Sequence, residues 1–197
     1  MLVRESSFTV ALGENGYLIG FTDDYDYPDE MPFGWRCGPA TDEGAVVLTT
    51  TDTGPLHLAI QIHDAPPAPE TSGDWEATEE MSLRADVPAL CLATLEQGDI
   101  LDAWPDKEPF LEIPPSPDGE EWVRMRLYCH ADNPEPGIGD HGERHLIQLW
   151  RAPHTPPVHP DITDTDRQAR AEYAAGRATP VEDYTTTYTY TQPDEQD

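Results

Sequence analysis

Apolar and polar residues alternate with a period of two, not 3.6, along much of the first 150 positions. Leu56, Leu58, Ile60 and Ile62 fall on one side of a stretch whose other side carries His57, Ala59, Gln61 and His63. Successive side chains of an extended chain point to opposite faces, so this is the pattern of a half-buried strand. The same reading applies to Trp122–His130. There Val123, Met125, Leu127 and Cys129 form an inner face, and Arg124, Arg126, Tyr128 and His130 an outer one. Glu143–Trp150 sets Leu146, Gln148 and Trp150 opposite Ile147 and Leu149. Shorter runs rich in β-branched or apolar residues at 7–12, 17–21, 45–51, 89–95 and 110–113 add further strands. From Trp75 the pattern puts Trp75, Ala77, Glu79, Met81 and Leu83 on one face. Glu79 is out of place there, and a bulge near Glu80 would re-phase the strand.

Turn signals separate these runs. Glu14-Asn15-Gly16, Asp52-Thr53-Gly54-Pro55 and Pro117-Asp118-Gly119 are examples, in a chain of 197 residues with 21 prolines and 14 glycines. Seven or eight strands, with no helical period before residue 160, predict a mainly β fold, an antiparallel β-sandwich over residues 1–153. The character then changes. His154–Pro160 reads as a proline-rich linker and Asp164–Ala175 as a short polar helix, with Thr163 as its N-cap and Gly176 as its stop. Tyr184–Thr191 is either an added edge strand or part of a flexible acidic tail.

Charge changes the picture most. Asp and Glu total 39 against 11 Lys and Arg, a formal net charge of −28. Between Glu5 and Leu83 there are 16 acids and one base, Arg36. Such a surface repels nucleic acid and anionic membrane and attracts basic proteins. The same excess also serves solubility or a salty cytoplasm. The densest stretch holds Asp23, Asp24, Tyr25, Asp26, Tyr27, Asp29 and Glu30. Closely spaced carboxylates imitate a phosphate backbone, and tyrosine adds rigid contact area, so these residues are the expected partner-binding surface.

Candidate chemistry is sparse. No G-x-G-x-x-G, Walker loop, G-x-S-x-G or H-E-x-x-H occurs. Cys37, Cys91 and Cys129 are odd in number and lack C-x-x-C spacing, which argues against a disulfide framework or a zinc site. Cys91 and Cys129 sit in apolar runs as small core residues, and Cys37 has no identifiable partner base. His130, Asp132, Asp140, His141, Glu143 and His145 cluster around one hairpin. Their donor types suit Zn, Mn or Fe, with His141, Glu143 and His145 at alternate positions. A metal-dependent enzyme built there is one alternative to a binding protein; a salt-adapted structural protein without such a partner is the other. His57 and His63 share a face but stand roughly 20 Å apart at about 3.3 Å per residue, too far to share an ion. No cofactor is expected. Met1–Glu5 starts no apolar stretch long enough for a signal peptide, and no run of 18 apolar residues occurs, so a cytoplasmic protein is expected.

The order of elements resembles the competence protein J family, small acidic inhibitors of a DNA-entry nuclease. Phe8-Thr9-Val10, Gly44-Ala45-Val46-Val47-Leu48, the strand from Trp75 to Leu83, and Trp122–Leu127 carry the resemblance. Leu146-Ile147-Gln148-Leu149-Trp150-Arg151-Ala152-Pro153 closes it, so that it covers about residues 6–153. It implies a non-enzymatic protein that masks a nuclease, and it assigns no inhibitory residue. Charge and resemblance together lead to one expectation, an acidic binding protein for a basic partner.

Overall fold

The computed structural model describes residues 1–22, 35–75, 77–95, 111–116 and 118–159. The chain divides into two units, Met1–Asp161 and Ile162–Asp197, and every described residue belongs to the first. The expected helix at 164–175 and the 184–191 segment lie outside the described residues.

Among the described residues the structure is mainly β and without helix. In chain order the strands are β1 (Leu2–Leu12), β2 (Gly16–Gly20), β3 (Cys37–Pro39), β4 (Gly44–Leu48), β5 (Thr51–His63) and β6 (Ala77–Arg84). They continue with β7 (Ala89–Thr94), β8 (Leu111–Glu112), β9 (Trp122–His130), β10 (Gly137–Ile138) and β11 (Arg144–Arg151). They form two sheets. One has the order β1-β5-β11-β9-β6, with β10 beside the start of β5; the other has the order β3-β4-β2-β7-β8. The second sheet is antiparallel throughout.

The first sheet is mixed, which corrects the all-antiparallel expectation. β11 runs parallel to β5, Arg144 facing His57 and Trp150 facing His63, while it pairs antiparallel with β9. β10 is also parallel to β5. A period of two tells which face a side chain takes and is the same for either pairing direction. Two strands lie outside the expected runs, β3 and β10, with three and two residues, too few to show a period; β8, of two residues, falls within the expected run at 110–113.

Inward residues of both sheets meet in one apolar cluster. Leu56, Leu58, Ile60 and Ile62 of β5 lie there with Val123, Met125 and Leu127 of β9, Ile147 and Leu149 of β11, and Tyr17, Ile19, Val47, Leu90 and Leu92 of the other sheet. Each fully buried aliphatic side chain contributes about 1.5–3 kcal/mol. The alternation at 56–62 and 123–129 therefore points to the real core.

The outer face of the mixed sheet is not left to water. Arg124, Arg126 and Tyr128 on β9, and Gln148 and Trp150 on β11, are all buried. Two irregular stretches cover them. Glu70 N–H donates to the Tyr128 hydroxyl at 2.8 Å, and Arg126 donates to the Pro67 carbonyl at 3.2 Å. On the far side Val158 and Glu80 exchange two backbone hydrogen bonds of 2.8 Å, so the proline-rich stretch continues the sheet past β6. Trp75 belongs to this outer layer too, its ring 5.8 Å from that of Tyr128. It does not share a face with Glu79, as the pattern had suggested.

Candidate functional site

The expected partner-binding residues Asp23, Asp24, Tyr25, Asp26, Tyr27, Asp29 and Glu30 lie outside the described residues, but both flanks of the segment are described. On one flank Phe21 is buried, and its N–H donates to the Glu43 carbonyl at 2.8 Å. On the other, Arg36 N–H and Cys37 N–H donate to the two oxygens of Glu79, at 2.6 and 2.8 Å. Glu79 is therefore no register error. β6 pairs with β9 without a shift from Ala77 to Arg84, and the carboxylate points inward, 2 % exposed, to receive the chain entering β3. A carboxylate that accepts amide hydrogens makes stronger bonds than a neutral acceptor. Glu79 thereby fixes the start of β3, on the downstream flank of the acidic segment.

A second buried carboxylate organises the opposite end of the core. Gly142, at φ 62°, turns the chain just before Glu143, a conformation that glycine adopts without the Cβ penalty. Thr50 N–H and Thr51 N–H donate to the two oxygens of Glu143 at 2.8 and 2.6 Å. His145 Nε2 lies 3.1 Å from the same carboxylate, and its Nδ1 lies 3.0 Å from the Tyr17 hydroxyl. All three side chains are at most 1 % exposed.

The protonation states follow. Burial pushes the Glu143 pKa up, but the His145 bond and the Thr51 and Thr50 amides outweigh it and hold the group at about 2. Burial lowers the His145 pKa against the opposing pull of Glu143, so the ring is neutral. Burial, then the nearby Cys129, Cys37 and Glu143, raises the Tyr17 pKa well above its ordinary value. One assignment satisfies every atom: the tyrosine hydroxyl donates to Nδ1, and Nε2–H donates to the carboxylate. The visible effect of this chain is to tie β2, β11 and the start of β5 together.

The six candidate metal ligands of the hairpin do not converge. Glu143 and His145 face the core. His130 faces outward, with Nε2 3.1 Å from Asp132 Oδ1 and Nδ1 2.5 Å from the Asp74 carbonyl. His141 precedes β11 rather than lying on it, and its Nδ1 is 3.3 Å from the Asn133 carbonyl. Asp140 accepts Gly142 N–H at 2.9 Å. Among the described residues no three His, Cys, Asp or Glu side chains stand where they could share an ion. Cys37 and Cys129 are buried, as core residues are, and Cys91 is partly exposed.

The charged surface is the remaining candidate. Asp42, Asp52, Asp64, Asp74, Asp86, Glu112, Asp118, Glu121, Asp132, Glu135 and Asp140 are all exposed, as is Glu5. Arg4 is the one exposed Arg or Lys among the described residues. The arginines are instead drawn inward. Glu80 accepts from Arg124 Nε at 3.1 Å and from Arg126 Nε at 2.6 Å; their side chains are 5 % and 11 % exposed. Arg126 also lies over the Trp150 ring at 4.9 Å, and Arg144 over that of Trp75 at 5.7 Å. Arg84 instead pairs with Asp86 at the surface, and among the described residues carboxylates far outnumber cations on the outside.

No protein-family model matches the chain, and no curated protein matches it. Two solved structures are similar in fold. One is ComJ from Bacillus subtilis, described as the inhibitor of the DNA degrading activity of NucA; it is 10 % identical with a TM-score of 0.46, and the match covers 77 % of this chain and 98 % of that one. The other is the crocagin biosynthetic gene J product, 15 % identical with a TM-score of 0.43, covering 76 % and 99 %. No residue role follows from identities this low.

Sequence reasoning missed Glu79 as an anchor and the Tyr17–His145–Glu143 chain. The signal for the first was present: a lone acid on an otherwise apolar strand face. For the second there was none, since Tyr17 and His145 are 128 positions apart.

Proposed function

We propose that this protein is a non-enzymatic acidic binding protein that masks a basic protein in the cytoplasm. The observation that carries the reading is the sorting of charge. Among the described residues Arg124 and Arg126 are buried and paired while most carboxylates and only one arginine, Arg4, are exposed, so the field outside is negative on a chain of net −28. Fields of this kind steer basic partners together fast and disfavour nucleic acid. A nuclease is the partner class that the competence protein J resemblance implies; charge alone asks only for a basic protein.

Asp23, Asp24, Tyr25, Asp26, Tyr27, Asp29 and Glu30 are the proposed contact. Downstream of the segment, the Arg36 and Cys37 amides are held by buried Glu79. Changing Asp23, Asp24, Asp26 and Asp29 to Asn and Glu30 to Gln should slow association with the basic protein captured from host lysate by about tenfold or more at low salt. Melting should hold or rise slightly as self-repulsion falls. Association at an unchanged rate would remove this segment from the contact surface.

A further inference from the structure

Between β3 and the inner faces of β6 and β9 lies a group of soft side chains that the acidic surface does not explain. Cys37 Sγ donates to Met81 Sδ at 3.3 Å, and Met81 is paired with Met125 across the β6–β9 register. Cys37, Met81, Met125 and His159 line a narrow gap beside Glu79 and Glu80 that has no room for a water molecule.

His159 is held in an unusual way. Its Nδ1 is 3.2 Å from Glu79 Oε2, an oxygen that also accepts the Cys37 amide, and its side chain is 9 % exposed. The Trp35 ring stacks on the imidazole, centroids 3.3 Å apart and planes within 10°. A carboxylate only accepts, so Nδ1 carries a proton, and in the neutral ring Nε2 keeps a free lone pair. That Nε2 is buried and has no hydrogen-bond partner. Leaving a buried acceptor unsatisfied is costly. Apolar packing accounts for a cysteine and two methionines in a core, but it leaves the imidazole nitrogen unexplained. An imidazole that donates one N–H to a carboxylate and keeps the other nitrogen bare is the arrangement of a metal-binding histidine.

We infer that Cys37, Met81 and His159, with Met125 as a second thioether, form a binding site for a cuprous ion. Thiolate and thioether sulfur select Cu(I) over hard cations, and methionine is a poor zinc ligand. On binding, the Cys37 S–H bond breaks, a sulfur–copper bond forms and the proton leaves to solvent. The copper keeps its single positive charge throughout, so no electron is exchanged. The thiolate cancels that charge, so binding leaves the net charge of the pocket, which Glu79 sets, unchanged. Without metal the thiol stays protonated, because burial first and the Glu79 charge second push its pKa up. A bare ion is smaller than water, which lets it use space that water cannot enter.

The test is anaerobic titration of the full chain with Cu(I) alone in competition with a chromogenic cuprous chelator. One copper per chain should be retained, with a first shell of sulfur plus one nitrogen by X-ray absorption, while zinc(II) offered in the same way is not retained. Met81→Leu keeps size and shape; it should melt like the parent without copper and hold copper at least about tenfold more weakly. Cys37→Ser should lose retention altogether. The inference is overturned if the parent chain yields all its copper to the chelator. It is equally overturned if Met81→Leu and Cys37→Ser retain copper as the parent does, which would place the ion at Cys91 or Cys129.

Discussion

Glu143→Gln is expected to destabilise the protein by about 3 kcal/mol at neutral pH, the largest effect of any single-atom exchange described above. The carboxylate receives three donors: the Thr50 and Thr51 amides and His145 Nε2–H. A glutamine keeps one acceptor oxygen and turns an NH₂ toward one of the amides, leaving buried donors face to face. For a domain of this size that is a fall in Tm of roughly 6–12 °C. The pH dependence has a definite sign. His145 has a lowered pKa in the folded state, so its contribution is complete above about 6.5, its ordinary value, and is lost as pH falls. Glu143 contributes fully above its ordinary 4.5 and loses that contribution as pH falls toward about 2. Tyr17, with a raised pKa, costs stability only as pH rises past its ordinary 10.0. Melting followed from pH 2 to pH 8 should therefore show Tm rising with pH. In Glu143→Gln the portion below about pH 4.5 should flatten. An unchanged acid profile in that variant would mean that the carboxylate is not the group titrating.

Glu80→Ala should cost about 2–3 kcal/mol, and Arg126→Met distinctly less. Glu80 is shared by two guanidiniums, so its loss leaves two like charges in the covered outer layer of the mixed sheet. Breaking a buried pair by removing one partner typically costs about 3–5 kcal/mol. Two facts reduce the figure here. The Glu80 side chain is 22 % exposed, and carbonyls of Pro67, Thr155 and Pro156 still accept from the arginines. Arg126→Met leaves Glu80 with Arg124 as a balanced pair and replaces the guanidinium over Trp150 with an apolar chain, forfeiting a contact of about 0.5–1 kcal/mol. Urea unfolding of the two variants measures the asymmetry. Equal costs would show that Glu80 is not the centre of the cluster.

Much of the core was readable because burial on one face leaves a period of two. Leu56–Ile62 and Val123–Cys129 were placed inward from the alternation alone, and they are inward. The outer face was not readable. Arg124, Arg126 and Tyr128 look solvent-facing in a strand pattern, and what buries them is irregular, proline-containing chain with no periodicity of its own. Pairing direction was hidden for a related reason, since β11 shows the same alternation beside a parallel β5 as beside an antiparallel β9. Of the candidate site, the sequence identified the acidic stretch from density of charge. The residue that anchors its downstream flank, Glu79, read as a defect because a buried carboxylate is recognised only by the amides it meets.

The acidic surface as a docking field for a basic protein is tested most directly by the ionic-strength dependence of association. The full chain is used to capture its partner from host lysate at low salt, and the association rate with that purified partner is then followed up to about 1 M salt, where the screening length shrinks to about 3 Å. The account predicts a basic protein, a nuclease by the competence protein J resemblance, whose association rate falls by about tenfold or more across the range. Its activity should be inhibited in proportion to occupancy. Recovery of no basic protein at any salt, or an association rate indifferent to salt, would contradict the account.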